Sequence, residues 1–267
     1  MRVAVIQMNS GNNKEKNIKH AVAMVRKAIK GKAEFILLPE VFNFRGQGNL
    51  KKNFASVPES FPGLATIPLM ELAKKHRVSI LAGSLYEKTS RKRKPFNASV
   101  LIGRDGSIAA KYRKVHLFDA QIGQKKVNES RIFSRGRRRV VADVGGWTLG
   151  MSICYDLRFP EFYQKYQQAG VDVFCVPSAF TLATGRAHWE VLLRARAIEN
   201  LCYVLAPNQI GVDGSGVRSY GNSMIIDPWG KVLARASSNK EEIIYTKLDR
   251  KVLKRCKAML PDENSEY

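Results

Sequence analysis

Acid is scarce in this chain: 23 Asp and Glu face 45 Lys and Arg over 267 residues, a formal charge of +22 at pH 7. That imbalance makes a nucleic acid or an anionic substrate a partner to consider. The densest basic runs, Arg91-Lys-Arg-Lys94 and Arg135-Gly-Arg-Arg-Arg139, fall where loops or hairpin ends are expected. Neither is interleaved with aromatics as a base-stacking surface would be. They read as a solvated fringe, and only non-specific binding to polyanions at low salt is expected of them. Long apolar runs are also missing: nothing approaches the roughly 20 residues that cross a bilayer, so no membrane contact is expected. Met1-Arg2 passes directly into Val3-Ala-Val-Ile6 without a signal-cleavage pattern, and the expected location is cytoplasmic. Histidine and cysteine number four each, with no CxxC pair and no His/Cys cluster at metal-ligand spacing. Neither zinc nor a disulfide framework is suggested, and no cofactor is expected.

What the chain does have is 45% hydrophobic residues, enough to bury a large core in a single domain spanning residues 1–267. Short apolar strands alternate with amphipathic segments. Residues 3–8, 35–38 and 78–85 read as strands, 14–30 and 64–76 as helices, and 98–102 with 108–112 as a hairpin. Further on, a hairpin is expected over 140–144 and 147–153, helices over 162–169 and 188–200, and strands over 171–176, 202–206, 224–227, 231–236 and 243–247. Hairpins mixed with helix crossovers predict an α/β (α+β) class with mixed sheets under helices; two sheets face to face, α-β-β-α, would use this many strands.

Cys154 is the most informative residue. It closes the apolar run Trp147-Thr-Leu-Gly-Met-Ser-Ile153 and opens Tyr155-Asp-Leu-Arg-Phe-Pro-Glu161, in which Pro160 suits a first helical turn. A strand then delivers a thiol to a sharp bend before a helix, whose positive end would favour thiolate. Taken alone, a cysteine is simply a small, usually buried residue. Two further apolar strands end in a charged group, Glu40 after Leu37-Leu-Pro and Lys114 after Ala110-Lys-Tyr-Arg. If the three ends share one rim, Glu40 with a raised pKa can take the thiol proton and Lys114 can hold an oxyanion, helped by a backbone N–H after the cysteine. Cys154 would then attack an amide carbonyl, and water would hydrolyse the thioester.

Leu38-Pro-Glu40, Tyr112-Arg-Lys-Val-His-Leu-Phe-Asp119 and Cys154-Tyr-Asp-Leu-Arg-Phe-Pro-Glu161 resemble, in order, the three motifs of the nitrilase (carbon–nitrogen hydrolase) superfamily. Pro177-Ser-Ala-Phe180, the stretch from His188 to Glu199, and Tyr220-Gly-Asn-Ser-Met-Ile-Ile-Asp-Pro-Trp-Gly230 look most like its Nit branch, which includes deaminated glutathione amidase and omega-amidase. The resemblance covers residues 3–248. It implies a four-layer α-β-β-α sandwich of two mixed β-sheets, with Glu40 as general base, Lys114 as oxyanion stabiliser, Cys154 as nucleophile and Glu129 as a second glutamate of the site. It also implies a homodimer built partly from the helices after Cys154 and from His188.

Around this set, Tyr155 offers a pocket wall, and Arg158 either pairs with Asp156 to brace the bend or grips a substrate carboxylate. Ser178, Phe180 and Thr184 are expected to line an acyl pocket, as are Phe42, Asn43 and Phe44 beyond Glu40. His116 and His188 read as scaffold hydrogen-bonders rather than members of a Cys-His protease pair. Gly185-Arg186-Ala-His188 departs from the family, where proline is common at the Arg186 position, and the tail after Leu260-Pro261 is shorter than in relatives. The expected reaction is hydrolysis of a small carboxylate-bearing amide with release of ammonia, an N-carbamoyl compound being the runner-up substrate. A basic nucleic-acid-binding module on an unused hydrolase scaffold is the rival class.

Overall fold

The structure, a computed structural model, describes residues 1–46, 57–90, 94–122 and 125–260, without the side chains of residues 122, 125 and 126. Residues 91–93 of the first basic run and the tail from Pro261 lie outside the described residues. In chain order come β1 (Arg2–Gln7), α1 (Lys14–Lys30), β2 (Phe35–Leu37), α2 (Ile67–His76), β3 (Ser79–Leu81), β4 (Leu85–Glu87), β5 (Phe96–Ile102) and β6 (Ile108–Arg113). A hairpin, β7 (Asp119–Ile122) and β8 (Lys125–Asn128), leads to β9 (Val141–Val144), β10 (Trp147–Met151), α3 (Pro160–Gln167), β11 (Val173–Cys175), α4 (Glu190–Asn200) and β12 (Tyr203–Ala206). The hairpin β13 (Ile210–Val212) and β14 (Arg218–Tyr220) precedes β15 (Met224–Ile226), β16 (Val232–Arg235), β17 (Glu242–Lys247) and α5 (Arg250–Met259).

Two mixed sheets result. In the first the order is β17-β1-β2-β3-β5, with β4 continuing along the β3 edge of β5 and β6 on its other edge. The second runs β16-β15-β12-β11-β10-β9. β1, β2 and β3 are parallel, as are β10, β11 and β12, so the connections between them must cross over; α1 to α4 supply those crossovers. α1 starts where sequence predicts because the Asn13 side chain accepts the Lys16 N–H, and its last turn carries Lys27 and Lys30.

The period-two alternation of the strands decides the layers. Val3, Val5, Phe35, Leu37, Leu81 and Leu101 turn toward Leu149, Met151, Val173 and Leu205 of the second sheet in one core, which Phe162 and Tyr166 of α3 and Leu193 of α4 close from outside. Their alternates Ala4, Ile6, Ile36, Ile80, Val100 and Ile102 pack instead on Ala21, Val25 and Ala28 of α1 and Leu69 and Ala73 of α2. The order of layers is therefore α-β-β-α. Among the described residues no helix is long and apolar enough to cross a membrane.

Two expectations are corrected, and three elements escaped the sequence reading. The strand over 78–85 breaks into β3 and β4, because Gly83 sits at φ +27 with Pro39 O 2.0 Å from where a Cβ would lie, so the chain must bend to let the segment before Glu40 pass. Helix α4 begins at Glu190 rather than 188; Gly185–Trp189 form a wider, π-type turn before it. Helix α5 escaped detection because only Leu253 and Cys256 of its ten residues are buried, although Asp249 caps it through Lys251 N–H. The two hairpins β7–β8 and β13–β14 were also not foreseen.

Candidate active site

Glu40, Lys114 and Cys154 come from different strand ends and meet. Glu40 lies three residues beyond β2, Lys114 directly after β6 and Cys154 three residues beyond β10. Lys114, 1% exposed, donates from Nζ to Glu40 Oε1 at 2.8 Å and to Glu129 at 2.8 Å (Oε2) and 3.0 Å (Oε1). The Cys154 thiol stands beside the Glu40 carboxylate, close enough for each to shift the other's titration, and the neighbouring Ala179 N–H favours charge on the sulfur. Glu129 stands in the short turn Glu129–Arg131 after β8 and also accepts the Phe118 N–H at 2.8 Å. All four acid, base and sulfur groups of the expected set are thus in one cluster.

Local backbone geometry aims them. Cys154 has φ +48 and Val41, next to Glu40, φ +47, conformations that cost a non-glycine residue of order 1–3 kcal/mol and persist only when the surroundings enforce them. At Cys154 the enforcement comes from Asp156, which is fully buried. Its carboxylate accepts the Ile153 N–H (2.8 Å), the Tyr112 hydroxyl (2.6 Å), the His116 N–H (2.9 Å), and lies 2.8 Å from His116 Nδ1. Asp156 therefore ties the bend carrying the sulfur to the segment carrying Lys114. Of the two roles left open for Arg158, the ion pair with Asp156 is not made: Asp156 already accepts from Ile153, Tyr112 and His116, and Arg158 Nη2 meets His188 Nδ1 at 3.1 Å.

Charge settles the protonation states. Burial by itself pushes Glu40 up, but the Lys114 ammonium, the thiol and Arg45 outweigh it and hold Glu40 below the usual carboxylate range. The expected raised pKa belongs instead to Glu129, which burial and the neighbouring Glu40 charge push up against the pull of Lys114. Burial and the Glu40 charge raise Cys154 well above an ordinary thiol. Lys114 is pulled down by burial, yet Glu129, Glu40 and Cys154 carry it well above an ordinary lysine. The resting site is a thiol beside a carboxylate, not the thiolate that a helix end alone would favour.

A cavity of about 30 Å³ opens on the sulfur, lined by Phe118, Cys154, Tyr155, Arg158, Ala179, Phe180, Thr181 and Thr184. Tyr155, Arg158, Phe180 and Thr184 are thus at the cavity as expected. Phe42 is not: it is fully buried in the core between the first sheet and α1–α2. Ser178 is also fully buried, spending its hydroxyl on Val176 O at 3.0 Å, while Asn43 bonds Glu59 and Phe44 packs on Tyr86. None of these four lines the cavity: the chain after Glu40 turns inward at Val41, and Ser178 faces back onto its own strand end. Arg186 lies away from the sulfur, on an outer cleft with Arg218 and Tyr220.

Sequence reasoning missed Asn97, whose Nδ2 donates to Glu40 Oε1 at 2.9 Å, and Gln209, whose Nε2 holds Glu40 O at 2.9 Å. A polar residue inside the apolar strand 96–102 was the available signal for Asn97. Ala179 offers only a backbone N–H and leaves no side-chain signature. Among the described residues no group of three or more His, Cys, Asp or Glu side chains stands close enough to hold a metal ion.

Comparison with known proteins identifies the family of this fold. The family model for carbon–nitrogen hydrolases matches residues 2–258. Deaminated glutathione amidase of Dictyostelium discoideum is 39% identical over 97% of this chain and 91% of its own length. Human omega-amidase NIT2 is 36% identical over 97% of this chain and 92% of its own. Among solved structures, Saccharomyces cerevisiae Nit3, a member of branch 10 of the nitrilase superfamily, superposes with a TM-score of 0.88 at 30% identity, covering 99% of this chain and 96% of its own. With three ordered strand ends converging on one sulfur and the family model spanning nearly the whole sequence, this chain belongs to the carbon–nitrogen hydrolase family.

Proposed function

We propose that the protein is an amidase that hydrolyses the terminal amide of a small, carboxylate-bearing substrate through a thioester on Cys154, releasing ammonia. The observation that carries this reading is the buried Glu40 carboxylate, held by the Lys114 ammonium 2.8 Å away and standing beside the Cys154 thiol, at a cavity that opens on the sulfur. As the sulfur attacks the carbonyl carbon, its proton passes to Glu40. The oxyanion is held by Lys114 and by the Tyr155 N–H, which opens the helical turn Cys154–Arg158 and takes no backbone acceptor among the described residues. Glu40 then gives the proton to the departing nitrogen, the C–N bond breaks, and ammonia leaves a thioester. Water attacks that thioester with Glu40 again accepting a proton; the carboxylic acid product departs and the thiol is restored.

Glu129 keeps Lys114 in place from the side opposite Glu40 and supplies the countercharge that lets an ammonium remain buried. Arg158 is suited to the far end of the substrate. It is half-buried, lies over the Tyr155 and Phe180 rings at 5.7 and 5.6 Å, and bonds a histidine rather than an acid, so its charge is available to a carboxylate. The relatives' names point to deaminated glutathione and to omega-amides, and the favoured candidates are deaminated glutathione and the omega-amides of α-keto acids, which carry both an amide and a carboxylate. The reading includes a single domain over residues 1–267 and a homodimer through the outer faces of α3 and α4, where Val191 and Ile198 are exposed at 68% and 45%. It also includes a cytoplasmic setting, in keeping with cysteines that form no disulfide among the described residues.

The test is ammonia release from a panel of keto-acid amides, N-carbamoyl compounds and nitriles, with Cys154→Ala as control. Turnover of the keto-acid amides that vanishes in the control is the expected result. Preference for the carbamoyl compounds would move the assignment to carbamoyl hydrolysis, and turnover undiminished in the control would refute it.

A further inference from the structure

The hydrolytic reading leaves the surplus positive charge without a role, yet the fold gathers part of it in one place. A groove of about 1340 Å³ is lined by Lys94, Lys111, Arg113, Arg135, Arg137 and Arg138. Topology brings them together. Alternation along β6 buries Tyr112 in the core and turns Lys111 and Arg113 to the outer face, and residues 134–138 return beside them. That return is fixed by the Gly136 N–H on Lys114 O and by the Ser134 N–H on Pro95 O, both 2.8 Å.

The charges are largely unanswered. Glu87 pairs with Lys111 at 2.5 Å and Arg113 at 2.6 Å, whereas Lys94, Arg135, Arg137 and Arg138 make no ion pair among the described residues. Gathering four cations without an ion pair along one side of the groove costs repulsion that a bound polyanion would remove. Tyr112 lies between the groove and the active-site side of β6, so the two surfaces are separated by the sheet itself.

We propose that this groove binds the sugar–phosphate backbone of single-stranded nucleic acid without reading its bases. A linear polyanion meets cations from both walls at once, and four of the six are arginines, whose guanidinium forks suit phosphate oxygens. Base stacking is not offered: Phe133 is buried, and Phe96 lies under Arg113, 4.1 Å from its ring centroid. A bilayer would need a flat or convex face with apolar side chains to insert, and this face is concave and charged. The walls also carry the half-buried Phe96, Val115 and Val140, so an acidic protein is the competing occupant, and the polyglutamate arm of the test below separates it from nucleic acid.

The test is fluorescence anisotropy of a labelled oligothymidylate at salt from about 50 mM upward. The wild type is expected to bind with a slope of log K against log salt of roughly −3, near −0.7 for each of the four unpaired cations. Arg137→Gln/Arg138→Gln is expected to weaken binding about tenfold at the lowest salt and to reduce the slope by about 1.4. Arg26→Gln/Lys30→Gln, which removes the same charge from the exposed face of α1, is expected to change affinity less than twofold. Lys94→Gln provides a second groove variant should the arginine pair fail to fold, with a slope change of about 0.7. Equal losses from the groove and α1 variants would overturn the proposal, since the binding would then reside in diffuse net charge. So would tighter binding of polyglutamate or of anionic phospholipid vesicles than of the oligonucleotide, or no binding at all.

Discussion

At the scale of single residues, the proton between Cys154 and Glu40 governs the chemistry. Glu40 stays ionised below the usual carboxylate range and Cys154 stays protonated above the usual thiol range, so the thiol–carboxylate form prevails across neutral pH. Alkylation of Cys154 by iodoacetamide should therefore show no rise near the ordinary thiol value of about 8.5, its thiolate limb lying at higher pH. An inflection below pH 7 would mean a stored thiolate and would contradict the account. Lys114 couples catalysis to stability. Lys114→Met leaves two carboxylates in the cluster without their cation, which is expected to cost about 3 kcal/mol in urea unfolding and to lower turnover by roughly a hundredfold or more. A variant that kept full turnover would remove Lys114 from the mechanism. Glu40→Gln, close in size and able to accept from Asn97, is expected to fold while losing roughly a thousandfold in rate.

At the scale of elements, precision comes from where strands stop and what crosses behind them. Gly83 lets the β3–β4 break pass within 2.0 Å of Pro39 O, measured from the position a Cβ would take. Gly83→Ala combines a backbone clash with a positive φ, and is expected to destabilise the fold by about 3 kcal/mol and to displace Glu40. Thermal unfolding together with the KM-against-kcat split reads both effects, and a neutral result would show that the close approach positions nothing. The strand ends at 40, 114 and 154 were legible in sequence because each closes an apolar run with a polar residue, and α1 because its cap and apolar face are both in the pattern. Pairing of Asp156 with Arg158 was one of two roles left open for Arg158, since adjacency along a chain suggests it. The contacts with Tyr112 and His116 that displace Arg158 span 44 and 40 residues, which no local pattern reveals. For the same reason Phe42 was expected at the cavity: distance along the chain from Glu40 is short, but the left-handed turn at Val41 sends the next ring into the core.

At the scale of the whole molecule, two sheets each supply part of one site. Glu40 and Lys114 come from the first and Cys154 with Ala179 from the second, so the site exists only when the sheets are packed face to face. Catalytic competence should accordingly be lost in the same cooperative transition as tertiary structure; loss of activity well before unfolding would indicate a separable site. The number of strands left room for two facing sheets and the resemblance implied the four layers, whereas the size of the cavity and the gathering of arginines behind β6 depend on long-range packing that the sequence does not display. At the proposed dimer face, Val191→Asp/Ile198→Asp is expected to halve the mass measured by light scattering, and an unchanged mass would place the interface elsewhere. The central claim is a covalent acyl intermediate on one sulfur, and intact-mass analysis during turnover of an amide panel tests it most directly. The account predicts an acyl adduct that maps to Cys154 and is absent from Cys154→Ala. Adduct formation on Cys175, Cys202 or Cys256, or steady ammonia release with no adduct and no loss in Cys154→Ala, would contradict it.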